Sequence, residues 1–108
     1  MSCSLGIDIG TSKIAAVLVD CKTREVQSVA SKRTEAELVT EPGFTEQNVQ
    51  KILTTIDRVV GELDEVLRSD VCVVGVTGQM HGTLLWNSST GETSNLVTWQ
   101  DRRTSQDG

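Results

Sequence analysis

Apolar positions divide the chain into a strand-rich opening, one helical stretch and a second run of short strands. Leu5 to Ile9 is short, apolar and β-branched, and Gly10-Thr11-Ser12 stops it. Lys13 to Val19 (KIAAVLV) is apolar enough for a buried strand, and Asp20 to Arg24 is a polar turn. From Glu25 to Arg33, Val26, Ser28 and Ala30 alternate with Gln27, Val29 and Ser31, a weak period of two that predicts a third strand. Three strands joined by short turns predict an antiparallel meander.

Glu35 to Phe44 reads as a loop punctuated by Pro42-Gly43. Beyond it, Val49, Ile52, Leu53, Ile56, Val59, Val60, Leu63, Val66 and Leu67 are spaced by threes and ones. That stripe predicts one long amphipathic helix, with Thr45 as N-cap and Glu46 at the positive end of the dipole. Gly61 falls inside this helix, at a cost of about 1 kcal/mol relative to alanine. Val71 to Val76 (VCVVGV) is nearly continuous in apolar residues, as in a central parallel strand covered on both faces, with Cys72 in the core. Thr83 to Trp86 predicts a further strand with Trp86 in the core, turning at residues 88–91, and Leu96 to Trp99 is the last apolar segment. A meander, a crossover helix and a buried strand parallel to the first make an α/β layer.

With 108 residues the chain forms one domain at most, too small for two lobes closing on a substrate. Its net charge of -5 argues against nucleic acid, whose phosphates demand a basic surface. No apolar run approaches the roughly 20 residues of a membrane helix, and no basic-then-apolar leader opens the chain. Cys3, Cys21 and Cys72 have no metal-ligand spacing and read as reduced thiols. The expectation is a cytoplasmic protein with neither membrane nor nucleic-acid partners.

Two stretches carry chemistry. In Gly6-Ile7-Asp8-Ile9-Gly10-Thr11-Ser12-Lys13, Gly10 permits a tight turn whose N–H groups and hydroxyls can face phosphate oxygens. Asp8 at the strand end can hold magnesium through water, because that ion dehydrates reluctantly. The plainer alternative is a hairpin turn with an ordinary aspartate. In Thr77-Gly78-Gln79-Met80-His81-Gly82, Gln79 and His81 can donate to and accept from hydroxyls, while Met80 adapts to a carbon chain. Further on, Trp99 can wall a sugar, Asp101 can accept from vicinal hydroxyls, and Arg103 can hold Asp101 or reach a substrate oxygen. The plainer alternatives are a surface histidine, a core methionine and an exposed salt-bridged turn at residues 101–103.

The words GIDIGTS resemble the phosphate-loop opening of FGGY-type carbohydrate kinases. DIGTSKIAAV also resembles the start of the bacterial actin-like cell-division protein, where a lysine follows the Thr-Ser. The kinase pattern more often places its basic residue two positions later, where this chain has Ala15. GQMHG followed by LVTWQD-x-R separates the two, being similar to FGGY kinases throughout and, within them, to the sedoheptulokinase branch.

The resemblance implies an incomplete N-terminal part of the ribonuclease H-like fold shared by actin and the heat-shock ATPases. It also implies transfer of the γ-phosphoryl group of Mg-ATP to a ketose hydroxyl, with sugar and ATP as partners. Asp8, Gly10, Thr11, Ser12 and Lys13 would bind the cofactor, with Asp8 at the metal. Gln79, Met80, His81, Trp99, Asp101 and Arg103 would bind the sugar. No catalytic residue is assigned, because the family's catalytic aspartate is expected downstream, as is the C-terminal ATP-binding domain. The 108 residues alone would then be an inactive sugar-binding lobe. A nucleotide-binding scaffold protein and a short non-catalytic sugar-binding product are the competing expectations.

Overall fold

The computed structural model describes residues 1–38, 40–79 and 82–103. β1 (Cys3–Ile9), β2 (Lys13–Asp20) and β3 (Val26–Arg33) form the antiparallel meander. The Asp20 carboxylate tightens the second turn by accepting from the N–H groups of Lys22 and Thr23, at 2.8 and 3.0 Å. β4 (Glu37–Leu38) and β5 (Glu46–Gln47) precede the helix α1 (Val49–Gly61) and a short α2 (Glu65–Arg68). β6 (Val71–Thr77) returns parallel to β1, giving a four-stranded sheet in the order β3-β2-β1-β6. β7 (Leu96–Val97) joins β5 and β4 in a separate three-stranded sheet.

The core lies between α1 and one face of the meander. Ile14, Ala16 and Leu18 alternate inward from β2 and meet Ile52 and Val59 of α1, with Leu5, Ala36 and Leu63 closing the cluster. Alternation fixes the register: a slip of one residue would turn Leu18 outward and Val19 inward.

Several expectations need correction. The helix is capped by Asn48, not Thr45: the Asn48 side chain accepts from the Lys51 N–H at 2.9 Å, while Glu46 lies in β5. It also ends at Gly61, where a C-cap at Glu62 and a new N-cap at Asp64 break the apolar stripe into two helices. The break keeps Leu63 buried, at 2% exposure, but leaves Val66 at 74%. β6 is an edge strand among the described residues, with Val73, Val74 and Val76 more than half exposed, because α1 lies over β2 and β3. Cys72 on it is exposed as well. Finally, residues 83–86 form only isolated bridges, Thr83 to Val97 and Trp86 to Thr93, and Trp86 is exposed.

Candidate functional site

β1 and β6 run parallel with Asp8 opposite Thr77, so the turns leaving their carboxyl ends lie side by side. In open α/β sheets this end is where ligands settle. The two sequence motifs, 68 residues apart if counted from Gly10 to Gly78 (78 − 10), meet there through strand pairing.

The first turn is closed by the Gly10 N–H donating to the Lys13 carbonyl at 3.0 Å. A Cβ on Gly10 would stand 2.8 Å from that same oxygen, so close backbone approach demands glycine here. The carbonyls of the loop are tied from behind. Gln47 Nε2 donates to the Thr11 carbonyl at 2.7 Å, and the Thr34 N–H donates to that of Ser12 at 2.9 Å. The N–H groups of Thr11 and Ser12 donate to no backbone oxygen of the described residues. A turn with its carbonyls committed and successive N–H groups free has the donor set that an anion nest needs.

Asp8 is exposed at the end of β1. In the β1–β2 register it faces Ala15, the position where the kinase pattern more often carries its basic residue, and Lys13 is exposed beside the turn. Among the described residues no group of three or more His, Cys, Asp or Glu side chains gathers for a metal. A single carboxylate suits magnesium held largely by water and phosphate oxygens, so Asp8 with the free N–H groups fits a magnesium nucleotide.

Gln79 leaves β6 half-buried, and its Nε2 donates to Gln47 Oε1 at 2.9 Å. Its own Oε1 is buried without a partner. Met80 and His81 lie outside the described residues. Trp99 is 56% exposed and donates from Nε1 to the Thr11 hydroxyl at 3.1 Å, so its indole belongs to the first turn as much as to any sugar wall. Between this turn and the second sheet is a cleft of about 380 Å³, lined among others by Thr11, Ser12, Arg33, Gln47 and Gln100.

Asp101 and Arg103 are brought together, but mainly with one another. Arg103 Nε donates to Asp101 Oδ2 at 2.7 Å, the Thr45 N–H donates to Oδ1 at 2.6 Å, and a second Arg103 nitrogen pairs with Glu46. The guanidinium also lies 3.9 Å from the centroid of the Phe44 ring. The side chains of Asp101 and Arg103 are only 6% and 30% exposed, so this is an interior network, not an exposed salt-bridged turn. Hydrogen bonding from Arg103 lowers the Asp101 carboxyl from 3.8 to about 2 and lowers that of Glu46 too; the two carboxylates hold Arg103 charged. Of the two roles expected for Arg103, the geometry displays the one of holding Asp101.

Gln47 was not legible as a site residue. It is 3% exposed and contacts both turns, yet in sequence it is one polar residue in the approach to a helix. Only the pairing of β5 between β4 and β7 turns it inward.

Residues 3–107 match the FGGY family of carbohydrate kinases, N-terminal domain. Glycerol kinase 1 of Streptomyces avermitilis is 37% identical over 102 residues, covering 91% of this chain and 20% of its own length. Among solved structures, a xyloylose kinase from Brucella ovis superposes with a TM-score of 0.81 at 24% identity, over 93% of this chain and 21% of that one. A Plasmodium falciparum glycerol kinase with ADP gives 0.79 at 23% identity, over 97% and 22%. The chain thus spans about a fifth of the length of the curated relatives it matches. Its mixed sheet and crossover helix are part of the actin-like ATPase fold, and the chain belongs to the FGGY family of carbohydrate kinases.

Proposed function

We propose that this chain is the sugar-binding N-terminal part of an ATP-dependent carbohydrate kinase acting on a ketose of the sedoheptulose type. The observation that carries the reading is the junction at the carboxyl ends of β1 and β6. There a turn with free N–H groups and an exposed Asp8 adjoins a loop that carries Gln79. Phosphoryl transfer is chiefly positioning and charge stabilisation, so a phosphate turn and a polyol loop held against each other are what it requires.

In this reading Asp8, Gly10, Thr11, Ser12 and Lys13 hold the phosphates of Mg-ATP, with Asp8 meeting the metal through water. The magnesium nucleotide supplies the transferred group and neutralises its charge. Gln79, Met80 and His81 contact the sugar hydroxyls and carbon chain, Trp99 flanks both ligands, and Asp101 with Arg103 shapes the wall from behind. The proton acceptor and the adenosine pocket are assigned to sequence beyond these 108 residues, and the location is cytoplasmic.

Sedoheptulose is favoured by the Thr98-Trp99-Gln100-Asp101 wording. A second reading, with glycerol or xylulose as acceptor, draws on the names of the similar proteins. The test is ATP consumption by the full-length polypeptide carrying this sequence, with sedoheptulose, xylulose, ribulose, gluconate and glycerol compared by kcat/KM. Sedoheptulose is expected to lead. A lead for glycerol or xylulose transfers the assignment to the second reading, and no acceptor-dependent turnover with any of the five overturns the kinase.

A further inference from the structure

We infer that Gln47 is a positioning residue that couples nucleotide and sugar binding, by tying the phosphate turn and the polyol loop to the two ends of one amide. The inference rests on the proposed function. Gln47 Nε2 donates to the Thr11 carbonyl at 2.7 Å, and Gln47 Oε1 accepts from Gln79 Nε2 at 2.9 Å. An amide has one donor end and one acceptor end, and here each end serves a different turn.

Gln47 is 3% exposed, a setting where an unmade hydrogen bond is costly, so a shift of either turn must be followed by the amide or penalised. The mount is rigid too. β5 is paired on both sides, Glu46 facing Val97 and Leu38, and the following Asn48 caps α1. Gln47 is therefore fixed at the backbone and free to transmit only through its amide. A nucleotide that orders the Thr11 carbonyl orders Gln79, and a sugar that orders Gln79 orders the turn. Linkage makes the effect reciprocal. Glutamate in its place would keep an acceptor for Gln79 but set a carboxylate against the Thr11 carbonyl, loosening the phosphate side alone.

The experiment measures, on the full-length polypeptide, the dissociation constants of sedoheptulose and of the non-hydrolysable nucleotide Mg-AMPPNP, each with and without the other. Xylulose and glycerol serve as alternative acceptors. In the unaltered protein each ligand is expected to tighten the other by about fivefold or more. Gln47→Leu is expected to bring that factor to within about twofold of one, less than the usual range of coupling. Gln47→Glu at pH 8 is expected to weaken Mg-AMPPNP while leaving the sugar constant nearly unchanged, a split that general loosening of the fold would not produce. If Gln47→Leu does not fold, Gln47→Glu decides by the same two constants. Undiminished coupling in the folded variants, or no coupling in the unaltered protein, overturns the role of Gln47. Failure of the unaltered protein to bind either ligand overturns the kinase reading instead.

Discussion

Asp101 illustrates how much a single side chain can be committed within the fold. Both its oxygens accept protein donors, from Thr45 and Arg103, and its carboxyl is lowered to about 2. A carboxyl depressed in the folded state stabilises it above the unfolded value and loses that contribution as pH falls through the folded one. Here the window runs from 3.8 down to about 2. Thermal melts in that window are expected to fall steeply in the unaltered chain and less steeply in Asp101→Asn, which has nothing left to protonate. Equal acid slopes would remove Asp101 from the acid transition. Residue chemistry of this kind was half legible: Asp101 and Arg103 could be named as partners, but Glu46, Thr45 and Phe44 join them from a segment 56 and more residues away.

Among the elements, α1 shows where local pattern is reliable and where it stops. Its inward face, Ile52, Thr55 and Val59, follows from spacing, but its ends do not. Thr45 and Asn48 are both good capping residues in isolation. Asn48 is chosen because Thr45 is held elsewhere, its N–H on Asp101 and its carbonyl on the Thr98 N–H at 3.1 Å. Asn48→Ala is therefore expected to cost about 1 kcal/mol in denaturant unfolding, as a lost cap does. Thr45→Ala should cost well under that, since the backbone bonds of Thr45 survive the change. The reverse order of costs would restore Thr45 as the cap.

Over the whole molecule, the chain does not enclose itself. Its radius of gyration is 16.5 Å, against about 13 Å for a compact domain of this length. α1 covers one face of the meander. The other carries Val17 opposite Val29 and Gly6, with Val73 opposite Ser4, so small and branched apolar residues face outward together. Exposed apolar patches of this kind drive association. As a separate polypeptide the 108 residues are expected to bind a hydrophobic dye and self-associate. The pair Val29→Thr and Val73→Thr should lower both dye fluorescence and apparent mass by sedimentation. If neither changes, that face is not the sticky one.

The β1–β3 meander, β6 as a strand and the inward face of α1 were decided by local sequence, because each depends on spacing over a few residues. Alternation of period two selects which side of β2 is buried, and a glycine facing a carbonyl closes a turn without help from elsewhere. Tertiary structure alone decided the rest: the cap at Asn48, the break after Gly61, the edge position of β6, and the entry of Gln47 between the two turns. These depend on which distant strand pairs with which, and pairing energy is shared between residues that sequence order keeps apart. The parallel return of β6 beside β1 is what brings the two motifs together at one end of the sheet.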